Sequence, residues 1–179
     1  GARYETSTTI SYGDEYISTT ITGVYPVHTK INKHDKLYGR FVNDIDMREK
    51  RKVLVLSNKQ AKELEPRDYS TLLGKYVKVG NFAFKVIGIY KAREEGQSEA
   101  YSSYAAIKGI YGANNDDVGS LEYTFHGLTT EKANEDFEKE YRRRLNANHQ
   151  VHPDDERAFW IFNGYTMSLQ MEQGIAIIR

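Results

Sequence analysis

Between Leu37 and Lys91 the chain holds three strand-length runs separated by stop signals, an order that leaves few ways to fold. Lys52-Val53-Leu54-Val55-Leu56 is a continuous apolar run of strand length. Ser57 or Asn58 then stands where a helix cap belongs, and the spacing predicts a helix over 59–65 that Pro66 helps end. Residues 75–79 alternate in polarity, Gly80-Asn81 supplies a turn, and Phe82, Phe84 and Val86 alternate back towards the apolar Val86-Ile87-Gly88-Ile89. A strand feeding a short helix, followed by a hairpin, is the expectation.

The rest of the chain adds a second pattern. Tyr4 to Ser11 and Tyr16 to Val24 are rich in Thr, Ile and Tyr around the turn residues Tyr12-Gly13-Asp14-Glu15, which predicts an N-terminal hairpin with Ile17, Thr19 and Ile21 on one face. Residues 93–99 and 112–119 read as polar loops, and 121–125 as a strand. From Thr130 the period changes: Ala133, Phe137, Tyr141 and Leu145 form one stripe on a helix of about four turns. Its acidic front half and basic end (Arg142, Arg143, Arg144) complement the helix dipole. Residues 158–162 read as a buried strand, and Asn163 as the cap of a last helix bearing Met167, Met171, Ile175 and Ile178.

Composition removes several functions. Lys plus Arg and Asp plus Glu each number 25 in 179 residues, so the formal charge is zero, which argues against a nucleic-acid binder. There is no cysteine, hence no disulfide framework and no thiolate zinc site. No apolar run reaches the roughly 18 residues of a membrane-spanning helix.

Candidate chemistry is sparse. Gly74-Lys75 lacks the Ser or Thr and the upstream glycine of a phosphate loop, with Tyr76 and Tyr69 in those places. His149 to Glu156 gathers two imidazoles and three carboxylates, but Pro153 breaks any shared helical face, and an exposed loop is the expectation. Ser102 or Ser103 with His126 has no Gly-x-Ser-x-Gly elbow to present a nucleophile. The cations Arg48, Lys50, Arg51 and Lys52 interleave with Asp44, Asp46 and Glu49, the composition of an internally paired loop. Tyr101, Tyr104 and Tyr111, among 14 tyrosines, suit an interaction surface and a half-buried strand face equally.

In order and spacing, Gly39-Arg40-Phe41, Asp46, the Val53 to Leu56 strand, the Ala61 to Leu64 helix, Gly74-Lys75 and Val86-Ile87-Gly88-Ile89 resemble the MacB-like periplasmic core domain found in permease subunits of bacterial ABC transporters. Thr20 to Val24 resembles that family's strand ending in Gly-Val, and Glu65-Pro66-Arg67-Asp68 departs from its usual aromatic and glycine. The resemblance implies an α+β fold of two small lobes: a strand-rich first lobe with a short helix (1–100), a second α/β lobe with one long amphipathic helix (101–163), and a stalk helix (164–179) leading to a transmembrane segment. It implies a soluble piece cut from between two transmembrane helices, on the periplasmic face of the bacterial inner membrane.

The implied role is non-catalytic, without cofactor or metal: a mechanotransmission part coupling ATP-driven membrane motion to efflux or substrate release. Implied partners are the permease's own transmembrane helices, a fused or separate ATP-binding subunit, a second permease copy and a periplasmic adaptor. Gly39, Arg40, Phe41, Asp46, Gly74, Lys75 and Gly88 are the motif positions, structural in this reading. Arg40 has two readings: holding a partner's carboxylate across an interface, or pairing with Asp46 to pin the loop before Val53. The alternatives to a permease domain are a free-standing periplasmic module that binds a peptide or lipid, and a small hydrolase using Ser102 or the 149–156 loop.

Overall fold

The computed structural model describes residues 1–32, 34–93, 98–112, 120–121, 124–150, 152, 155–157 and 160–168. They fall in two compact units, Gly1–Thr124 and Phe125–Arg179.

The first unit begins with a hairpin of β1 (Ala2–Tyr12) and β2 (Glu15–Val24), in register from Tyr4↔Gly23 to Tyr12↔Glu15. A short helix α1 (His28–Asn32) and a strand β3 (Lys36–Gly39) follow, then α2 (Asp44–Arg48), β4 (Val53–Ser57) and α3 (Asn58–Leu64). A 3-10 turn (Tyr69–Leu72) leads to β5 (Tyr76–Val79), β6 (Phe82–Tyr90), β7 (Ala100–Ser103), α4 (Tyr104–Tyr111) and β8 (Ser120–Leu121). The 52–56 strand, the helix after it and both hairpins therefore form within a residue or two of where the sequence puts them.

The pairings close on themselves. β1 pairs β2, β2 pairs β7 in parallel, β7 meets β4 at Val55↔Tyr101, β4 pairs β6 in parallel, β6 pairs β5, and β5 returns to β1 through Ile10↔Val79. Such a ring leaves no open edge among its members, and alternate side chains fill its interior. Ile10, Ile21, Leu54, Leu56, Val79, Phe84, Val86 and Ile89 are all fully buried there. Leu64 from α3, Leu72 from the 3-10 turn and Ile107 from α4 join the same cluster. Each such side chain contributes roughly 1.5–3 kcal/mol by leaving water.

β7 and α4 lie in this unit. The start of α3 is fixed by a reciprocal cap. Ser57 Oγ accepts from Gln60 N at 3.1 Å, and Gln60 Oε1 accepts from Ser57 N at 3.0 Å. Gln60 Nε2 then donates to Thr19 Oγ1 and the Ser98 carbonyl, which ties the helix to β2.

In the second unit α5 (Glu131–Asn148) is the helix expected from the four-residue period. Its stripe residues Ala133, Phe137, Tyr141 and Leu145 are only half-buried; the fully covered side chains are Asn134 and Asn146. Asn134 Nδ2 donates to the carbonyls of Leu128 and Thr130, and its Oδ1 accepts from Asn163 Nδ2. Asn146 Nδ2 donates to the carbonyls of His152 and Asp155 at 3.0 Å each.

Two expected strands differ. Of residues 121–125, only Leu121 is in a strand among those described, and the Phe125 ring packs on Phe137 at 5.0 Å instead. Residues 160–162 make no ladder: Trp160 is 87% and Phe162 62% exposed, and their rings stack on each other. Apolar content alone raises the expectation of a strand there, and among the described residues no neighbouring strand supplies partners. Residues 158–159 lie outside the described set, as do residues 94–97, 113–119 and those from 169 on, with Met171, Ile175 and Ile178. Helical residues 164–168 do follow Asn163, whose Oδ1 accepts from Tyr165 N at 3.0 Å.

Candidate functional site

The motif residues converge where the end of β3 crosses β6. Gly39 and Gly88 are Cα partners in that pair. A Cβ on Gly39 (φ +68°) would lie 2.1 Å from the Ile87 carbonyl oxygen, and one on Gly88 would lie 2.0 Å from that of Arg40. Only glycine allows backbones to approach this closely. The approach is fixed by Arg40 N–H donating to Ile87 O at 2.9 Å, and it directs the Arg40 side chain at α2.

There Arg40 grips Asp46 with both arms of its fork, Nη1 to Oδ2 at 2.6 Å and Nη2 to Oδ1 at 3.1 Å, while Nη1 also donates to the Phe41 carbonyl. The Asp46 side chain is fully covered, and it also caps its own helix by accepting from Asn43 N at 3.0 Å. Burial alone would raise the Asp46 carboxyl. The bonds from Arg40 and Asn43 N–H, with the positive field of Arg40 and Arg51, outweigh it and hold the group below its ordinary value. The bond to Asp46 likewise raises Arg40. Phe41 packs on a second apolar cluster with Val24, Val42, Val55, Tyr90 and Tyr101. Gly74 (φ +80°) turns the chain into β5, where Gly74 N donates to Val86 O and Val86 N to Lys75 O.

Beside this knot runs an open groove of about 840 Å³ on the barrel's outer face. Gly39-Arg40 and Leu73-Gly74-Tyr76 stand on one side, Lys50 to Val53 on the other, and Ala83, Lys85 and Ile87 of β6 lie between. Arg51 is paired with Glu49 at 2.7 Å.

Arg3, His28, His34, Tyr90, Glu99 and Tyr101 help line a smaller pocket of about 250 Å³. Arg3 Nη2 bonds Glu99 Oε2 at 3.0 Å, Thr22 Oγ1 donates to the same oxygen, and Tyr90 OH donates to the Glu99 carbonyl at 2.5 Å. The rings of His28 and His34 lie 4.9 and 5.0 Å from that of Tyr101. Burial, with the negative field of Glu99 added, pushes the Tyr90 hydroxyl up to about 12 and raises Tyr101 as well. These residues come from five separate stretches with no common period, so sequence spacing carries no signal for them.

The other sequence candidates are Ser102, Ser103, His126 and the 149–156 loop. Ser102 is buried and its hydroxyl donates to Val53 O at 2.6 Å, while Ser103 Oγ caps α4 by accepting from Ala106 N. His126 belongs to the second unit. Of the 149–156 loop, Val151, Pro153 and Asp154 are outside the described set. Among the described residues no group of three or more His, Cys, Asp or Glu is placed to hold a metal ion, and no helix is long and apolar enough to cross a membrane.

By fold the chain is an α+β domain built on a closed barrel of mixed strands, its outer face pinned by a glycine-arginine knot. It belongs to the MacB-like periplasmic core domain family, whose model matches residues 2–138. Over 116 residues it is 26% identical to the macrolide export ATP-binding/permease protein MacB of Shewanella sp. (strain W3-18-1), a match covering 62% of this chain and 18% of that protein. The chain thus spans about a fifth of the length of that relative.

Among solved structures, the extracellular domain of the ABC-type transporter YknZ from Gram-positive bacteria aligns with a TM-score of 0.68 and 28% identity, over 85% of this chain and 76% of that one. The periplasmic region of MacB from Actinobacillus actinomycetemcomitans shares the fold at a TM-score of 0.71 and 18% identity, over 96% and 74% of the two chains. The chain is a periplasmic domain of the MacB-like inner-membrane permeases.

Proposed function

We propose that this domain is a non-catalytic transmission element: it passes motion driven by ATP hydrolysis on the cytoplasmic side to the periplasm, where it exports or releases substrate. The observation that carries the reading is the family match across the whole barrel. A closed, internally bonded barrel suits the role because it moves as a body instead of deforming. The Ser102 hydroxyl, which ties β7 to β4, and the Arg40 fork, which holds Asp46 of α2, are both engaged in structural bonds, which favours structure over bond-breaking chemistry. In this reading the partners are transmembrane helices of the same permease, a fused or separate ATP-binding subunit, a second copy and a periplasmic adaptor.

The test uses the membrane protein that carries this domain. The chain has no cysteine, so Tyr16→Cys, at a side chain 72% exposed on the first hairpin, gives one spin label per domain. In reconstituted permease the distance between labels on two copies is expected to change between ATP-bound and nucleotide-free states. A distance distribution identical in both states, with ATP hydrolysis intact, overturns the reading.

A further inference from the structure

We infer that the outer groove beside Arg40 docks an acidic polypeptide segment carrying apolar side chains between its carboxylates. The charge is the first observation. Of the five cations lining the groove, Arg40 is matched by Asp46 and Arg51 by Glu49. Lys50, Lys52 and Lys85 are exposed and have no ion pair among the described residues. Three uncompensated positive charges therefore face one groove in a chain whose net charge is zero, a local field that selects an anionic occupant.

The surface between the lysines is apolar. Leu73 is 38% and Tyr76 64% exposed, and Ile87 is half-buried beside them. An inorganic anion would leave that surface wet, whereas side chains alternating with carboxylates would cover it. The backbone rules out entry as an added strand here. Arg40, Gly74, Lys75, Lys85 and Val86 already donate their N–H groups within the barrel. Recognition thus falls to side chains, with separated lysines meeting separated carboxylates.

Two features hold the cations in place. Lys52 Nζ lies 5.9 Å from the Phe82 ring centre, which steadies its long stem. Lys50 has φ +50°, a left-handed conformation that L residues avoid and that marks a position held by its surroundings.

The experiment titrates the 179-residue chain with a fluorescein-labelled peptide of repeating Glu-Leu-Glu-Ser and with its Gln-Leu-Gln-Ser counterpart, at low and at physiological salt. The Glu peptide is expected to bind, and more weakly as salt rises. Each of K50Q, K52Q and K85Q weakens binding by about two- to fivefold, the scale of an exposed ion pair, and the triple variant by about tenfold or more. The triple arginine variant retains binding, and thermal melts of all variants check that the barrel is intact. Equal affinity for the Gln peptide, unchanged binding by K85Q and the triple variant, or no binding at low salt each overturns the inference. So does lysine-dependent capture by phosphatidylglycerol vesicles in place of the peptide. The assay needs neither membrane nor nucleotide, so its failure and a failure of the transmission role are separate results.

Discussion

Gly39 and Gly88 face each other across β3 and β6 with no room for a side chain on either: an added Cβ would meet the Ile87 oxygen at 2.1 Å or the Arg40 oxygen at 2.0 Å. The atoms in the way are backbone, so nothing flexible can yield. This contact sets the height at which Arg40 leaves the barrel and reaches Asp46.

Gly88→Ala and Gly39→Ala are expected to destabilise the barrel by about 3 kcal/mol or more, at or beyond the upper end of overpacking costs. Gly74→Ala is the control. It shares the left-handed backbone of Gly39, at φ +80° against +68°, but its Cβ would meet nothing within 4 Å. Its cost is therefore the conformational one alone, about 1–2 kcal/mol. Urea unfolding of the three variants separates the effects, and equal losses at all three would show that the close approach is not what matters.

Asp46→Asn keeps the shape and the cap but removes the charge that answers Arg40. With Arg40 42% exposed, solvent screens part of the pair, and the loss is expected at about 1–3 kcal/mol near neutral pH. The pH dependence follows from the sign of the shift. The folded carboxyl lies below the unfolded value of about 3.9, so its stabilisation is complete above that value and disappears as pH falls through the folded one. Denaturant midpoints of wild type and D46N taken from pH 7 down to 2 should converge on the acid side; a constant gap assigns the effect to something other than this titration.

Much of the barrel was legible because its signals are local. The 52–56 run, the Ser57 cap, the Gly80-Asn81 turn and the first hairpin each depend on a few adjacent residues. Closure was not legible, since it rests on pairings such as Ile10↔Val79 and Val55↔Tyr101 between distant segments. β3 escaped notice because all four of its residues are exposed and show no alternation. α2 escaped because its cap joins Asn43 to an Asp at the third position, where Glu or Gln is the usual sign. The motif glycines were visible as positions, but the reason for them, backbone meeting backbone, exists only in the fold.

The second unit teaches the same point through polar residues. The apolar stripe located α5, yet Asn146 ties its C-terminal end to the following loop by two bonds from one amide. Asn146→Ala would leave the carbonyls of His152 and Asp155 without these donors, at about 1–3 kcal/mol. Leu145→Ala, at a half-buried position, is expected to cost less. Hydrogen exchange of the amides late in α5 reads the difference: faster exchange in N146A than in L145A supports the anchoring role, and the reverse order refutes it.

The pocket around Glu99 predicts an alkaline limb to stability. Tyr90 is 4% exposed and donates to the Glu99 carbonyl, and burial pushes its hydroxyl up to about 12 against an ordinary value near 10. A folded-state value above the unfolded one means that stability is complete below about pH 10 and is lost as pH rises towards about 12, because only the unfolded chain ionises in that window. The shift corresponds to about 2–3 kcal/mol across it. Tyr90→Phe removes the titrating group and the bond, so it should be less stable than wild type at pH 7 by about 1 kcal/mol yet lose less on going from pH 9 to 12. Denaturant titrations at those pH values, with tyrosinate absorbance followed in parallel, test both halves. If Y90F and wild type fall in parallel across the window, the limb belongs to another group, and Tyr101, raised by the same burial, is the next residue to replace.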